Sequence, residues 1–388
     1  MNKNISLEYL LTGMEFEMFM QDYYGHKHLY ISRSDNRFYK NIFSIEAFDN
    51  LINENTFSQK YFKISKLGSV LDKKTYSIYD GANNEFQINI GKALELFGEG
   101  YTIVIDDVSR HDRNLLNLEI DLAEKLKFVD NISTNVYLTP KESQAFPMHY
   151  DIQDVFILQI YGSKKWKIFP EIENTYPVDF SHEYILDEIK TNNFNGEEIV
   201  LQEGDLLYVP RGMAHEVKTS DEESLHLTIS IVHYSVFDLL EKSIKLLKNE
   251  NKDLRKNINN LNDINHCKNL LISSLDNIDI KNVSKELEYK NKYRSLLNFS
   301  GALSANITPP QLENQGFLFR EGVKIHCTKE LETVFEYGVK KNIIEGDFCF
   351  LSELAEINNQ SINERLNNPE LVEELLYYLL FEGFIVKK

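Results

Sequence analysis

Cysteine is scarce in this chain and scattered. Cys267, Cys327 and Cys349 show no C-x-x-C spacing. That argues against a disulfide scaffold or a zinc cluster, and for a reducing compartment. Long hydrophobic runs are missing too. No apolar stretch reaches the roughly 18 residues that a spanning helix needs, so no membrane partner is expected. The opening Met1-Asn2-Lys3-Asn4-Ile5-Ser6 leads into Glu8 without the apolar core of a signal peptide. A cytoplasmic location is the expectation. Internal repeats are lacking. Positive charge is in deficit: Lys and Arg number 42 against 60 Asp and Glu, a net of −18. Residues 1–235 hold −15 of this, residues 236–300 hold +3 and residues 301–388 hold −6. An acidic body repels free nucleic acid and draws basic partners. The same acidity also serves plain solubility.

What is present reads as a globular protein. Of the 388 residues, 42% are hydrophobic and 12% aromatic, enough for two or three domains. The sharpest local feature is Met148-His149-Tyr150-Asp151, followed later by Tyr208-Val209-Pro210-Arg211-Gly212-Met213-Ala214-His215. In an extended segment, residues i and i+2 share a face, so His149 and Asp151 aim the same way. With His215 they offer two imidazoles and one carboxylate, the facial triad of non-haem Fe(II) oxygenases. Alone, the pattern fits equally well two surface histidines and an ordinary aspartate. His26, His28, His111, His182, His233, His266 and His326 have no ligand spacing and read as surface or core packing.

After the triad, Asp154 to Tyr161 is a nearly continuous apolar run, which suits a strand covered on both faces. Gly162-Ser163 marks a turn or bulge. The next strand alternates, with Lys164, Trp166 and Ile168 on one face. If Trp166 and Ile168 look inward, so does Lys164. A buried ammonium needs an anionic partner, or its pKa falls. The other reading is a lysine that snorkels from a strand start.

Taken together, several stretches resemble the JmjC-type ribosomal oxygenases of the cupin superfamily. They are Asn135-Val136-Tyr137-Leu138-Thr139-Pro140, Ser143-Gln144, His149-Tyr150-Asp151, Asp154-Val155-Phe156, Gln159, Gly162, Lys164, Trp166, Gly204-Asp205, Pro210 to His215, and His226-Leu227-Thr228-Ile229-Ser230. The resemblance spans about residues 10 to 235. The lead-in departs from it, because Lys27-His28-Leu29 lacks the proline usual there. The resemblance implies Fe(II) on His149, Asp151 and His215. It implies 2-oxoglutarate as co-substrate, with its distal carboxylate on Lys164 and Asn135 as a polar neighbour. Tyr137 and Ser230 match positions that line the pocket for the target side chain; barrel filler and a backbone-bonded hydroxyl are the alternatives. Trp166, Phe156 and Ile168 are expected to supply apolar walls.

The expected fold is α+β: a double-stranded β-helix (jelly-roll) with flanking helices over residues 1–235, then a helical dimerisation region over 236–300 and a winged-helix domain over 301–388. Ser6 to Tyr9, Ser44 to Ile52 and Asn114 to Leu126 read as helices. Val236, Leu240, Ile244 and Leu247 fall on one helical stripe. Leu270 to Leu297 holds further helical candidates, and Pro309-Pro310 marks a boundary. Ser352 to Ile357, Ser361 to Leu366 and Pro369 to Glu382 read as short helices before a terminal strand at Phe384-Ile385-Val386. The functional expectation is a homodimeric enzyme that hydroxylates a side chain, His or Arg, of a ribosomal or other basic protein or a peptide. Demethylation of N-methyl lysine and tRNA modification use the same iron chemistry. A non-catalytic metal-binding cupin is the alternative from another class.

Overall fold

The computed structural model describes residues 5–54, 57, 59–81, 85–172, 176–177, 179, 184–250, 252–257, 267–270, 272–273, 283, 317–319, 323–328, 332–337, 340–354, 357–381 and 384–387. The chain divides into two compact units, Met1–Glu288 and Tyr289–Lys388. Most of the span from Leu270 to Leu297, Pro309-Pro310, and His182 and His266 lie outside the described residues.

The first unit opens with α1 (Leu7–Leu10), α2 (Phe16–Asp22), β1 (Leu29–Ile31), α3 (Ile45–Glu54), β2 (Phe62–Lys66) and β3 (Ser69–Val70). Then come a hairpin of β4 (Ser77–Asp80) and β5 (Glu85–Ile88), α4 (Ile90–Gly98), β6 (Thr102–Ile105) and α5 (Arg113–Leu126). The central strands are β7 (Val129–Thr139), β8 (Asp154–Gly162) and β9 (Lys164–Ile168). After α6 (Tyr184–Thr191) follow β10 (Glu197–Leu201), β11 (Leu206–Val209), β12 (His215–Lys218), β13 (Ser224–His233) and α7 (Val236–Glu250).

These strands make an eight-stranded sheet, ordered β1-β11-β8-β13-β7-β6-β2-β3, and a three-stranded sheet, β10-β9-β12. Alternation decides what each face does. Val155, Ile157, Leu207 and Val209 of the large sheet pack with Trp166, Ile168, Ile199 and Leu201 of the small one. That contact packs the two sheets as a sandwich with an apolar cluster between them. The alternate residues Phe156, Leu158, Leu206, Tyr208, Leu227 and Ile229 turn to the other side of the large sheet. There they join Leu7, Leu10, Leu115, Leu118 and Leu122 of the helices in the main core. Phe156 therefore does not wall the sandwich interior; one step of strand parity sends it to the helical side. The apolar run of β8 is covered on both faces, as its composition predicts.

Gly162 ends β8 at φ 62°, and a Cβ there would lie 1.9 Å from the Glu223 carbonyl oxygen. Only glycine permits that approach. The β8–β13 register shifts nearby, between Leu225 and His226. On α7, the stripe of Val236, Leu240 and Ile244 is exposed, with Val236 at 76% and neighbouring Phe237 at 71%, while Leu247 is buried.

The second unit pairs strands Phe317–Phe319 and Ile385–Lys387. It also holds an antiparallel meander, Val323–Cys327, Glu332–Tyr337 and Lys340–Glu345. The helices run over Asn359–Leu366 and Pro369–Phe381, the first with an Asn358 capping box and the second with proline at its first position. A 3-10 turn runs over Cys349–Glu353, and residues 355 and 356 of the helix expected over Ser352 to Ile357 lie outside the described residues. The meander has no counterpart in the sequence reading. Cys327 and Cys349 correct another expectation. They are joined as a disulfide, with Cα atoms 6.0 Å apart. A strand end and a turn bring them together, which linear spacing does not reveal.

A candidate metal centre beside a buried lysine

His149 and His215 meet as an isolated antiparallel bridge. The His149 amide donates to the His215 carbonyl at 3.0 Å, and the return bond is 2.8 Å. Their rings lie 4.4 Å apart between centroids. The turn before β12 is tied in as well, because the Gly212 amide donates to the Asp151 carbonyl at 2.8 Å. Asp151 Oδ2 sits 3.8 Å from His215 Nε2. One potential ligand atom from each of His149, Asp151 and His215 falls within 4.8 Å of the others.

The tautomers follow from the neighbours. His149 Nδ1 lies 2.8 Å from the Pro147 carbonyl, and His215 Nδ1 lies 3.1 Å from the Met213 carbonyl. A carbonyl can only accept, so both Nδ1 atoms carry the proton and both Nε2 lone pairs are left for a ligand. Burial, and then the neighbouring His149, push the His215 pKa down to about 4. It is neutral at physiological pH, as a metal ligand must be. Two imidazoles and a carboxylate suit iron(II), with positions left open.

Lys164 is 3% exposed. Its Nζ donates to Thr139 Oγ1 at 2.8 Å and lies 3.4 Å from His226 Nδ1. Among the described residues no carboxylate pairs with it, and burial alone pulls its pKa down to about 7. The inward orientation expected from strand alternation is what the structure has; a snorkelling lysine would reach water. The ring of Tyr137 stacks on His226 at 4.8 Å with planes 2° apart. Burial and the Asp151 charge push the Tyr137 phenol up, while a hydrogen bond from Asn135 opposes them. Asn135 Oδ1 in turn accepts from the Asp107 amide at 3.0 Å, which leaves its amide nitrogen to donate to Tyr137. Ser230 is half-buried two residues beyond Thr228, paired in register with Ser133 and Val155. No contact ties it to the triad among the described residues.

Three residues given no polar role in the sequence reading stand in the same pocket: Thr139, His226 and Trp166. Trp166 packs 5.5 Å from His215 and 6.0 Å from His226, centroid to centroid. The signal was parity. Thr139 is two residues from Tyr137, Trp166 two from Lys164, and His226 two from Thr228.

Two packed sheets that carry three potential metal ligands beside a buried lysine are the arrangement expected of a cupin-type domain. Residues 113–239 match the model of the JmjC domain. The resemblance to ribosomal oxygenases holds among the relatives. The bifunctional lysine-specific demethylase and histidyl-hydroxylase NO66 of Dictyostelium discoideum is 30% identical over 57% of this chain and 41% of its own length. Ribosomal oxygenase 2 of Mus musculus is 29% identical over 58% of this chain and 46% of its own. The chain thus spans less than half of these relatives. Among solved structures, the Escherichia coli ribosomal oxygenase YcfD aligns over 97% of this chain and 98% of that one, at 12% identity and a TM-score of 0.49.

Proposed function

We propose that this chain is an Fe(II)- and 2-oxoglutarate-dependent dioxygenase that hydroxylates a side chain, His or Arg, of a ribosomal or other basic protein or a peptide. The observation that carries the reading is Lys164, a buried amine with no anionic partner among the described residues, in the pocket that also holds a metal-ligand triad. A non-catalytic scaffold has no use for such a lysine. Bound iron, with 2-oxoglutarate as co-substrate, would supply the oxidising chemistry.

The chain's own residues do the rest. His149, Asp151 and His215 hold the metal through Nε2 and carboxylate oxygen atoms. Lys164 neutralises the far carboxylate of the co-substrate, and Thr139 helps to fix its direction. Asn135 anchors the Tyr137 phenol, which with the Ser230 hydroxyl lines the side of the pocket that receives the target. Trp166 and Ile168 keep water out. The acidic charge of residues 1–235 steers a cationic partner inward. The exposed stripe of α7 supports a homodimer through residues 236–300. Two helices closed by a strand pair support a winged-helix reading of residues 301–388. The acidity of that segment favours an interaction or structural role over nucleic-acid binding.

Relatives named for both demethylation and histidyl hydroxylation motivate a second reading, removal of methyl groups from lysine. One experiment separates the two. The protein is incubated with Fe(II), 2-oxoglutarate and either basic ribosomal proteins or methyl-lysine peptides, and masses are read. A gain of one oxygen on a ribosomal protein is the expected outcome. Loss of methyl groups with no oxygen gained anywhere selects the second reading.

A further inference from the structure

Trp166 is the chain's only tryptophan, is 4% exposed, and has a buried indole nitrogen with no hydrogen-bond partner among the described residues. A buried N–H left without an acceptor is a standing cost, and such atoms are few in folded proteins. Its place is informative. Lys164 and Trp166 are i and i+2 on β9 of the small sheet, while Thr139, Tyr137 and His226 come from β7 and β13 of the large sheet. The two sets meet across the sandwich, with the indole packed 5.5 Å from His215 and 6.0 Å from His226 between ring centroids.

His226 has a defined tautomer. An ammonium only donates, so the 3.4 Å approach of Lys164 Nζ makes Nδ1 the acceptor and leaves the ring proton on Nε2. Burial and then the Lys164 charge hold this imidazole far below its ordinary pKa, so it is a neutral donor. Tyr137 stacked flat on it fixes the plane. Lys164, His226 and Trp166 thus bring N–H groups from three neighbouring side chains into one region of the sandwich, and neither Lys164 nor Trp166 has a carboxylate partner among the described residues. A carboxylate is the group that completes such a set.

We propose that the Trp166 and His226 ring N–H groups join Lys164 in gripping the far carboxylate of the co-substrate, so that selection for a dianionic 2-oxo acid rests on three side chains and not on the lysine alone. The assignment depends on the dioxygenase reading and goes beyond it by naming what sets co-substrate choice.

The test uses full-length protein loaded with Mn(II) and two ligands. One is 2-oxoglutarate. The other is 2-oxopentanoate, which keeps the chelating end and lacks the far carboxylate. Calorimetry gives both affinities for the wild type, W166F, H226L and H226Q, each checked for an intact thermal transition. W166F and H226L should each weaken 2-oxoglutarate roughly tenfold and leave 2-oxopentanoate unchanged. H226Q, which retains an acceptor and a donor, should recover part of the loss. In the wild type, fluorescence from the sole tryptophan should respond more to 2-oxoglutarate than to its truncated analogue. Equal weakening of both ligands would mean a packing role and overturn the assignment, as would unchanged affinity for both. If the wild type bound neither acid, the dioxygenase reading itself would fall, and this assignment with it.

Discussion

Lys164 stands where charge is disfavoured, and that has a measurable consequence. Its pKa drops from 10.5 in the free side chain to about 7 in the fold. Between those values the unfolded chain binds more protons than the folded one, so stability rises with pH across that window. Below about pH 7 both states are charged and the penalty is present in full; above about 10.5 it vanishes. Lys164→Met removes the penalty at similar volume. In ligand-free protein at pH 6 it should stabilise the fold by about 1–4 kcal/mol, and the gain should shrink as pH rises toward 10. Urea unfolding across pH checks this. The same variant should lose its response to 2-oxoglutarate, a trade of activity for stability at one residue.

At the scale of elements, the triad depends on how the turn before β12 is held. Asp154, buried at the start of β8, accepts from the Arg211 amide at 2.7 Å and lies 2.8 Å from His233 Nε2. Its carboxylate thus connects β8, the Pro210-Arg211-Gly212 turn and the end of β13. Asp154→Ala strips two part-buried bonds and leaves a backbone N–H without its acceptor. A stability loss of about 2–4 kcal/mol is expected, with faster metal loss on dialysis because His215 follows that turn. Asp154→Asn, which keeps one acceptor, should lose less.

The residues around this turn mark how far sequence reading reaches. The strand parity that turns Lys164 inward was legible, because period two is local. The helix expected over Asn114 to Leu126 is α5, Arg113–Leu126, which the Asp112 side chain caps. The Asp154–His233 pair was not, because it joins residues 79 apart and neither flank signals the partner. Phe156 was misplaced for a related reason. Parity gives two faces without saying which is interior when both are apolar. The Cys327–Cys349 bond likewise joins residues 22 apart that no local pattern links.

For the molecule as a whole, the unequal spread of charge and the bare stripe of α7 lead to separate expectations. Association with a basic target should weaken as salt rises, since exposed charges are screened beyond roughly 8 Å at physiological ionic strength. Turnover of a basic peptide should therefore fall with salt through KM while kcat holds. Phe237 and Leu240 stand exposed on the same helix. Phe237→Glu should convert a dimer to a monomer at micromolar concentration by light scattering, without disturbing Leu247, which is already buried. A wild-type protein that is monomeric at that concentration would remove the dimer from the proposal.

The bridge between His149 and His215 joins more than two imidazoles. Each ligand's own amide is bonded to the other's carbonyl, so a fluctuation that parts the rings also bares two backbone protons. A bound metal would hold that opening shut. Hydrogen–deuterium exchange at these two amides should then act as a built-in gauge of occupancy, slow in loaded protein and fast in chelator-treated protein. Exchange in the β7–β8–β13 ladder should stay unchanged.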